Sequence, residues 1–215
     1  EMSAIRYPKF VDPTEIDEVM FTEEQIRTRV KELAAEVSEA YKSAEKPVVL
    51  IGTLKGATPF FADLAREVDV DCVWEFMSFS SYGMGTQSSG AVQCVLDLKM
   101  DISGRDVLIV EDILDTGNTL QYMIKNLQAR SPNSVKTIVF THKHEMTKPG
   151  VVADFVGFKV PNKFLVGYGL DYAQKYRGLP FIGVLAPWVY SKLDSRLDGC
   201  VAKGYPADKD GLPMH

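Results

Sequence analysis

The chain is poor in the residues that staple small folds or gather metals. It has only three cysteines in 215 residues, at Cys72, Cys94 and Cys200. Their number is odd and none stands in a Cys-x-x-Cys pair, so neither a disulfide framework nor a cysteine zinc site is indicated. Buried free thiols in a reducing compartment are the expectation. Histidine is equally scarce, with three in the chain, His142, His144 and His215. The first two flank Lys143, whose charge opposes a cation, and no metal site is read in them. No apolar run reaches the length of a membrane span and no signal-peptide pattern is visible, which makes the cytoplasm the expected location. Basic residues are in deficit, 24 Lys and Arg against 29 Asp and Glu for a net charge of -5. That balance gives no global attraction to nucleic acid or anionic membrane, so an anionic ligand must be held by local donors.

What is present is an ordinary globular composition, 46% hydrophobic and 25% charged. It suffices for one sizeable domain, or one domain with a small appendage. No internal repeat is evident. The most informative stretch runs from Val107 to Leu120. Val107-Leu108-Ile109-Val110 reads as a short buried strand. Glu111 and Asp112 sit at its C-terminal end, and Asp115 opens a polar loop. Leu120, Met123, Ile124 and Leu127 then fall on one face of a helix. An open α/β sheet binds ligands at the carboxyl ends of its strands, where these acids stand.

Thr116, Gly117 and Thr119 are small, and Gly117 tolerates a positive φ, so the backbone can turn tightly with its N–H groups inward. The helix N-terminus adds unpaired donors, which together suit a phosphate group. No lysine follows the glycine, so this is not the loop of nucleoside triphosphatases. Glu111 and Asp112 would repel a bare phosphate but suit sugar hydroxyls or a Mg²⁺ ion. A phosphorylated sugar is the indicated ligand. Asp-Thr-Gly also marks aspartic proteases, but those are all-β and need two such segments.

Other segments follow the same logic. Residues 1 to 21 read as an irregular arm with a strand near Glu18–Phe21. Thr22 and Gln25 form a capping box ahead of an amphipathic helix through Ile26, Val30, Leu33, Ala34 and Val37. Val48–Thr53 is a buried strand, Leu54-Lys55-Gly56-Ala57 a loop at its end, and Pro59 fits the first turn of the next helix. Val70–Phe79 reads as a strand. The stretch from Ser80 to Gly90 is rich in glycine and hydroxyl residues, the composition of a closing lid. Lys143 stands just beyond the strand Val135–Thr141, on the ligand edge. Asp154–Pro161 is another strand, and Phe181–Leu185 the last. Between them, glycines alternate with aromatics from Phe164 to Tyr176, and Phe164 could stack a flat ring.

The run Val-Leu-Ile-Val-Glu-Asp-Ile-Leu-Asp-Thr-Gly-Asn-Thr resembles the phosphoribosyl pyrophosphate (PRPP) motif of type I phosphoribosyltransferases, the hypoxanthine-guanine members especially. Leu54-Lys55-Gly56 resembles that family's pyrophosphate loop, whose Leu-Lys peptide is often cis. Ser81-Tyr82 resembles its flexible lid, and Gly169-Leu170-Asp171-Tyr172 its hypoxanthine-guanine subtype. The likeness spans about Thr22 to Leu185 through five motifs in the family's order.

The resemblance implies an α/β fold: a mostly parallel sheet flanked by helices, with a small hood. The hood would combine the arm 1–21 with the segment 144–180 of a core spanning 22–186, and 187–215 would be a tail. It implies transfer of the 5-phosphoribosyl group of PRPP to hypoxanthine or guanine, giving IMP or GMP and pyrophosphate. By the same likeness Glu111, Asp112, Asp115, Thr116, Gly117, Asn118 and Thr119 hold the ribose 5-phosphate, with Asp115 as general base. Leu54, Lys55, Gly56 and Arg177 hold pyrophosphate. Lys143, Phe164, Leu165 and Asp171 meet the purine. Glu111, Asp112 and Asp171 would serve Mg²⁺, and a homodimer or homotetramer is implied. The family often has Lys or Ala in place of Asn118, so no catalytic role attaches to its side chain. Two alternatives stay open: a xanthine-accepting transferase, and a PRPP sensor of the same fold without catalysis.

Overall fold

β-Branched and aliphatic residues without a polar partner face build the central strands. Val48–Leu54 (β2) and the apolar part of Asp106–Leu114 (β5) are buried on both sides, as strands of a parallel sheet must be. The computed structural model describes residues 5, 7–9, 11–81 and 92–191, with residues 80, 81, 92 and 191 described by their main chain alone. The chain forms two compact units, a larger one, Thr28–Asn162, and a smaller one from the chain up to Arg27 and from Lys163 on.

The larger unit holds a six-stranded sheet in the order β4-β3-β2-β5-β6-β7. Its further strands are Cys72–Ser81 (β3), Val92–Leu96 (β4), Ser134–Lys143 (β6) and Phe155–Val160 (β7). All neighbours pair in parallel except β4, which returns antiparallel along the edge. Helices Thr58–Glu67 (α2) and Asn118–Gln128 (α3) make the crossovers from β2 to β3 and from β5 to β6. One crossover leads away from β2 and the other away from β5. The strand order therefore reverses between these two strands, which is where open α/β sheets bind ligands. The core there packs Val49, Ile51, Val107, Ile109 and Val139 against Leu120, Met123 and Leu127 of α3.

The division between units falls within helix Glu23–Tyr41 (α1). Its capping box forms as expected: the Thr22 N–H donates to Gln25 Oε1 at 2.8 Å and the Gln25 N–H to Thr22 Oγ1 at 3.3 Å. Ile26, Val30, Leu33, Ala34, Val37 and Tyr41 are its buried stripe.

The smaller unit has a three-stranded antiparallel sheet, β1-β9-β8, from Ile16–Phe21, Ile182–Leu185 and Leu165–Val166. Strand β8 is only two residues long, too short for a sequence pattern to announce it. Phe164, Val166, Tyr176, Leu179, Phe181 and Leu185 form the core of this unit with Val11 and Ile16. A short helix, Pro187–Ser191 (α4), opens the stretch read as a tail. Strand β7 falls inside the segment 144–180 assigned to the hood, yet it pairs with β6 in the larger sheet.

Cys72 and Cys94 are free thiols, half-buried rather than buried. No helix among the described residues is long and apolar enough to cross a membrane.

Candidate active site

Three strand ends of the larger unit, β2, β5 and β6, lie side by side, and each carries a residue singled out from the sequence. The centre is β5. Glu111 is 7% exposed, and Asp112 follows it with its carboxylate on the Ile113 N–H at 2.9 Å. Burial pushes the Glu111 carboxyl well above the usual carboxylate range. The negative charge of Asp112 and a hydrogen bond shared with it add to the rise, and a bond from Thr53 opposes it. Two acids held in this way favour a neutralising partner, either hydroxyl donors or a cation.

Strand β2 ends in the loop Leu54-Lys55-Gly56, and the Leu54–Lys55 peptide is cis. The loop turns into α2, where Thr58 donates from its hydroxyl to the Lys55 carbonyl at 2.7 Å. The approach of this loop to β5 requires glycine: a Cβ on Gly56 would fall on Asp112 Oδ2. The side chain of Lys55 is exposed.

After Leu114 the chain turns through Asp115 and Thr116. Gly117 occupies the N-cap of α3 with φ 84° and no side-chain cap. The first N–H groups of α3 are therefore free of a capping oxygen from Gly117, as an anion site requires. On β6, the Lys143 ammonium reaches Asp115 Oδ2 at 3.2 Å, with the two side chains 4% and 15% exposed. This cation and carboxylate thus form one donor-acceptor pair at the strand ends.

The smaller unit carries the remaining candidates. Phe164 is 2% exposed, with Tyr172 edge-on at 5.5 Å and Tyr190 tilted across it at 5.4 Å. Its carbonyl accepts from the Leu185 N–H at 2.8 Å, and Leu165 pairs with Val184. Asp171 meets the Arg177 guanidinium at 2.7 Å and caps the Gln174 N–H at 2.8 Å. Arg177 also donates to the Gly169 carbonyl at 2.7 Å. Its buried Nε has no hydrogen-bond partner among the described residues. Tyr82 and the rest of the expected lid lie outside the described residues, as does Cys200. Ser81 ends β3.

Two contributions were missed from the sequence. Thr53 bonds Glu111, and Thr147 and Lys148 contact the Asp115–Asn118 loop. Thr53 sits in an apolar strand pattern, and Thr147-Lys148 in a polar run with no periodicity, so neither carried a signal.

A mostly parallel sheet with a glycine-capped loop at its switch point, beside an acid pair of which Glu111 is buried, defines the type I phosphoribosyltransferase class. The family model described as a phosphoribosyl transferase domain matches residues 20–173. The hypoxanthine-guanine phosphoribosyltransferase of Bacillus subtilis is 47% identical over 176 residues, covering 82% of this chain and 97% of the relative. That of Mycobacterium tuberculosis is 44% identical over 182 residues, covering 83% and 90%. Among solved structures, the Trypanosoma cruzi hypoxanthine phosphoribosyltransferase in complex with its product IMP superposes with TM-score 0.78. It is 43% identical, and the match covers 84% of this chain and 100% of that one. The Staphylococcus aureus hypoxanthine phosphoribosyltransferase gives the same TM-score of 0.78 at 44% identity, covering 83% and 96%. The chain belongs to the phosphoribosyltransferase family, in its hypoxanthine-guanine group.

Proposed function

We propose that the chain is a purine-salvage enzyme that transfers the 5-phosphoribosyl group of PRPP to hypoxanthine or guanine. The products are IMP or GMP and pyrophosphate. The observation that carries this reading is the Lys143–Asp115 pair beside the Gly117 loop, in a chain of this family. A 6-oxopurine offers an acceptor, O6, next to a donor, N7–H. A lysine ammonium and a carboxylate 3.2 Å apart present the complementary donor and acceptor.

In this reading the loop Asp115–Thr119 holds the 5-phosphate through backbone N–H groups, and Glu111 and Asp112 accept from the ribose hydroxyls. Lys55, Gly56 and Arg177 stabilise pyrophosphate as it leaves, when charge builds on its oxygens. Phe164 stacks the base, and the main chain at Leu165 meets the C2 edge. The bond from C1 of the ribose to pyrophosphate breaks through an oxocarbenium-like state as N9 of the base bonds to C1, and Asp115 takes the N7 proton. Positioning supplies much of the rate, since both substrates are held for in-line displacement.

The residues fit Mg²⁺. No three His, Cys, Asp or Glu among the described residues gather into a metal-holding cluster. Mg²⁺ commonly binds through one or two carboxylates and substrate phosphates. The acid pair Glu111 and Asp112 would hold one ion against the ribose, and Asp171 another against pyrophosphate. The chemistry Mg²⁺ would supply is neutralisation of the leaving group's charge. A homodimer or homotetramer working in the cytoplasm completes the proposal, and sedimentation measures the assembly.

The test is a spectrophotometric assay with PRPP and Mg²⁺ against hypoxanthine, guanine, xanthine and adenine. Product with hypoxanthine and guanine is expected. Xanthine turned over as efficiently as guanine would replace the base assignment, and no product with any base would leave a PRPP sensor.

A further inference from the structure

Thr147, Lys148 and Val151 lie against the Asp115–Asn118 loop, and the transfer mechanism gives them no part. The Thr147 hydroxyl lies 2.8 Å from the Asp115 carbonyl oxygen and 3.1 Å from that of Lys143. The Lys148 N–H donates to the Thr116 carbonyl at 3.2 Å, and its ammonium to Asn118 Oδ1 at 2.6 Å. Val151 fills the space beside Gly117.

His142 also meets the Thr147 hydroxyl. Its Nε2 is 3.0 Å from Thr147 Oγ1. A hydroxyl has one proton and accepts through its oxygen. With two carbonyls in reach that proton is shared between them. His142 Nε2 is then the donor to the Thr147 oxygen, a role that needs a proton on Nε2. The other nitrogen, Nδ1, is buried without a hydrogen-bond partner among the described residues, as a nitrogen carrying no proton can be. Burial first, then the charges of His144 and Lys159, also lower the His142 pKa.

We propose that Thr147 is a positioning residue for the transfer reaction. Its hydroxyl fastens the main chain of Asp115 to that of Lys143, and His142 orients the hydroxyl. The fastening sets the 3.2 Å approach of the Lys143 ammonium to the Asp115 carboxylate. The inference rests on the reading of these two residues as the pair that meets the base. A lysine reaches its target through a flexible four-carbon stem. Where its main chain is anchored therefore decides whether the ammonium and the carboxylate arrive together.

The test compares Thr147→Val with Thr147→Ser, measuring kcat and KM for each substrate alongside thermal melting. The valine variant should lose about tenfold in kcat/KM for the purine, well inside the roughly 10²-fold that misplacement by 1 Å can cost. The serine variant should recover to within about twofold, because it keeps the donor. A Thr147 that only stabilises the fold would lower the melting temperature and leave kcat/KM of the folded enzyme unchanged; that result overturns the proposal. Should the valine variant not fold, Thr147→Cys replaces it, since a thiol is a weaker donor; equal kcat/KM for the cysteine and serine variants overturns the proposal. An inactive wild-type chain would overturn the functional reading and this inference together. An active wild type with an unaffected valine variant overturns the inference alone.

Discussion

Gly117→Ala tests whether the phosphate loop depends on its own conformation. Gly117 has φ 84° at the N-cap of α3, a region where a side chain costs about 1–2 kcal/mol. A Cβ added there would also meet Val151 Cγ1 at 2.7 Å and Cγ2 at 3.0 Å. Overpacking of this kind costs about 1–3 kcal/mol, and Val151 is itself buried at 8% exposure, so it cannot swing freely into solvent. If the loop keeps its shape, the two terms together destabilise the fold by about 2–5 kcal/mol. For a chain of this size that lowers the melting temperature by roughly 2–4 °C per kcal/mol, or about 4–20 °C in all. If the loop yields instead, stability is kept, but the N–H groups turn away from the phosphate and the KM for PRPP rises. The assay is a melting curve with PRPP kinetics on the same sample. Pairing the change with Val151→Ala separates the terms: the two Cγ contacts go, leaving only Val151 Cβ at 3.2 Å, while the backbone part stays. Melting within about 1 °C of wild type together with an unchanged KM for PRPP would refute the loop argument.

Three further changes probe the other parts of the site. Asp115→Asn keeps an acceptor for Lys143 but removes the base, so kcat should fall by about 10²–10⁴-fold with little change in KM for PRPP; unchanged turnover would remove Asp115 from the chemistry. Phe164→Leu retains apolar volume where Phe164→Ala would open a cavity in the smaller unit's core. Loss of the aromatic face should weaken purine binding by about 1–3 kcal/mol, and an unaltered purine KM would make Phe164 a packing residue only. Glu111→Gln concerns pH. The carboxyl of Glu111 is raised in the folded chain, so the folded state holds its proton more readily than the unfolded one. That contribution to stability is complete below about pH 4.3, the unfolded glutamate value, and is lost as pH rises through the folded pKa. The glutamine variant should therefore gain melting temperature over wild type as pH rises to 8, and parallel curves across that range would contradict the assignment.

The larger unit was legible because its signals are local. A buried parallel strand is a continuous apolar run, and Val107–Val110 had no other reading. Glu111 and Asp112 continue that strand, Asp115 opens the loop after it, and Gly117 begins a helix with a clear apolar face. Charge at a strand end is costly without a ligand, so position and chemistry could be read together. The same reasoning drew attention to Lys55, just after a recognisable strand, and to Lys143, which proves to be the last residue of one.

What stayed hidden depends on contacts distant in sequence, or on elements too short to have a period. The two-residue strand β8 takes its register from β9 rather than from a pattern of its own. β7 reads from sequence as a strand, but only its pairing with β6 reveals which sheet it joins. Thr147 illustrates the limit most sharply. It stands 32 residues from Asp115, and nothing in Glu145-Met146-Thr147-Lys148 distinguishes its hydroxyl from any exposed one. Its significance comes entirely from two carbonyls and an imidazole that the fold brings around it. Motifs thus identify groups that can carry charge and protons to a substrate. The groups that hold those motifs in register need no particular chemistry beyond one well-placed donor. They are therefore the part of an active site that only the folded chain exposes.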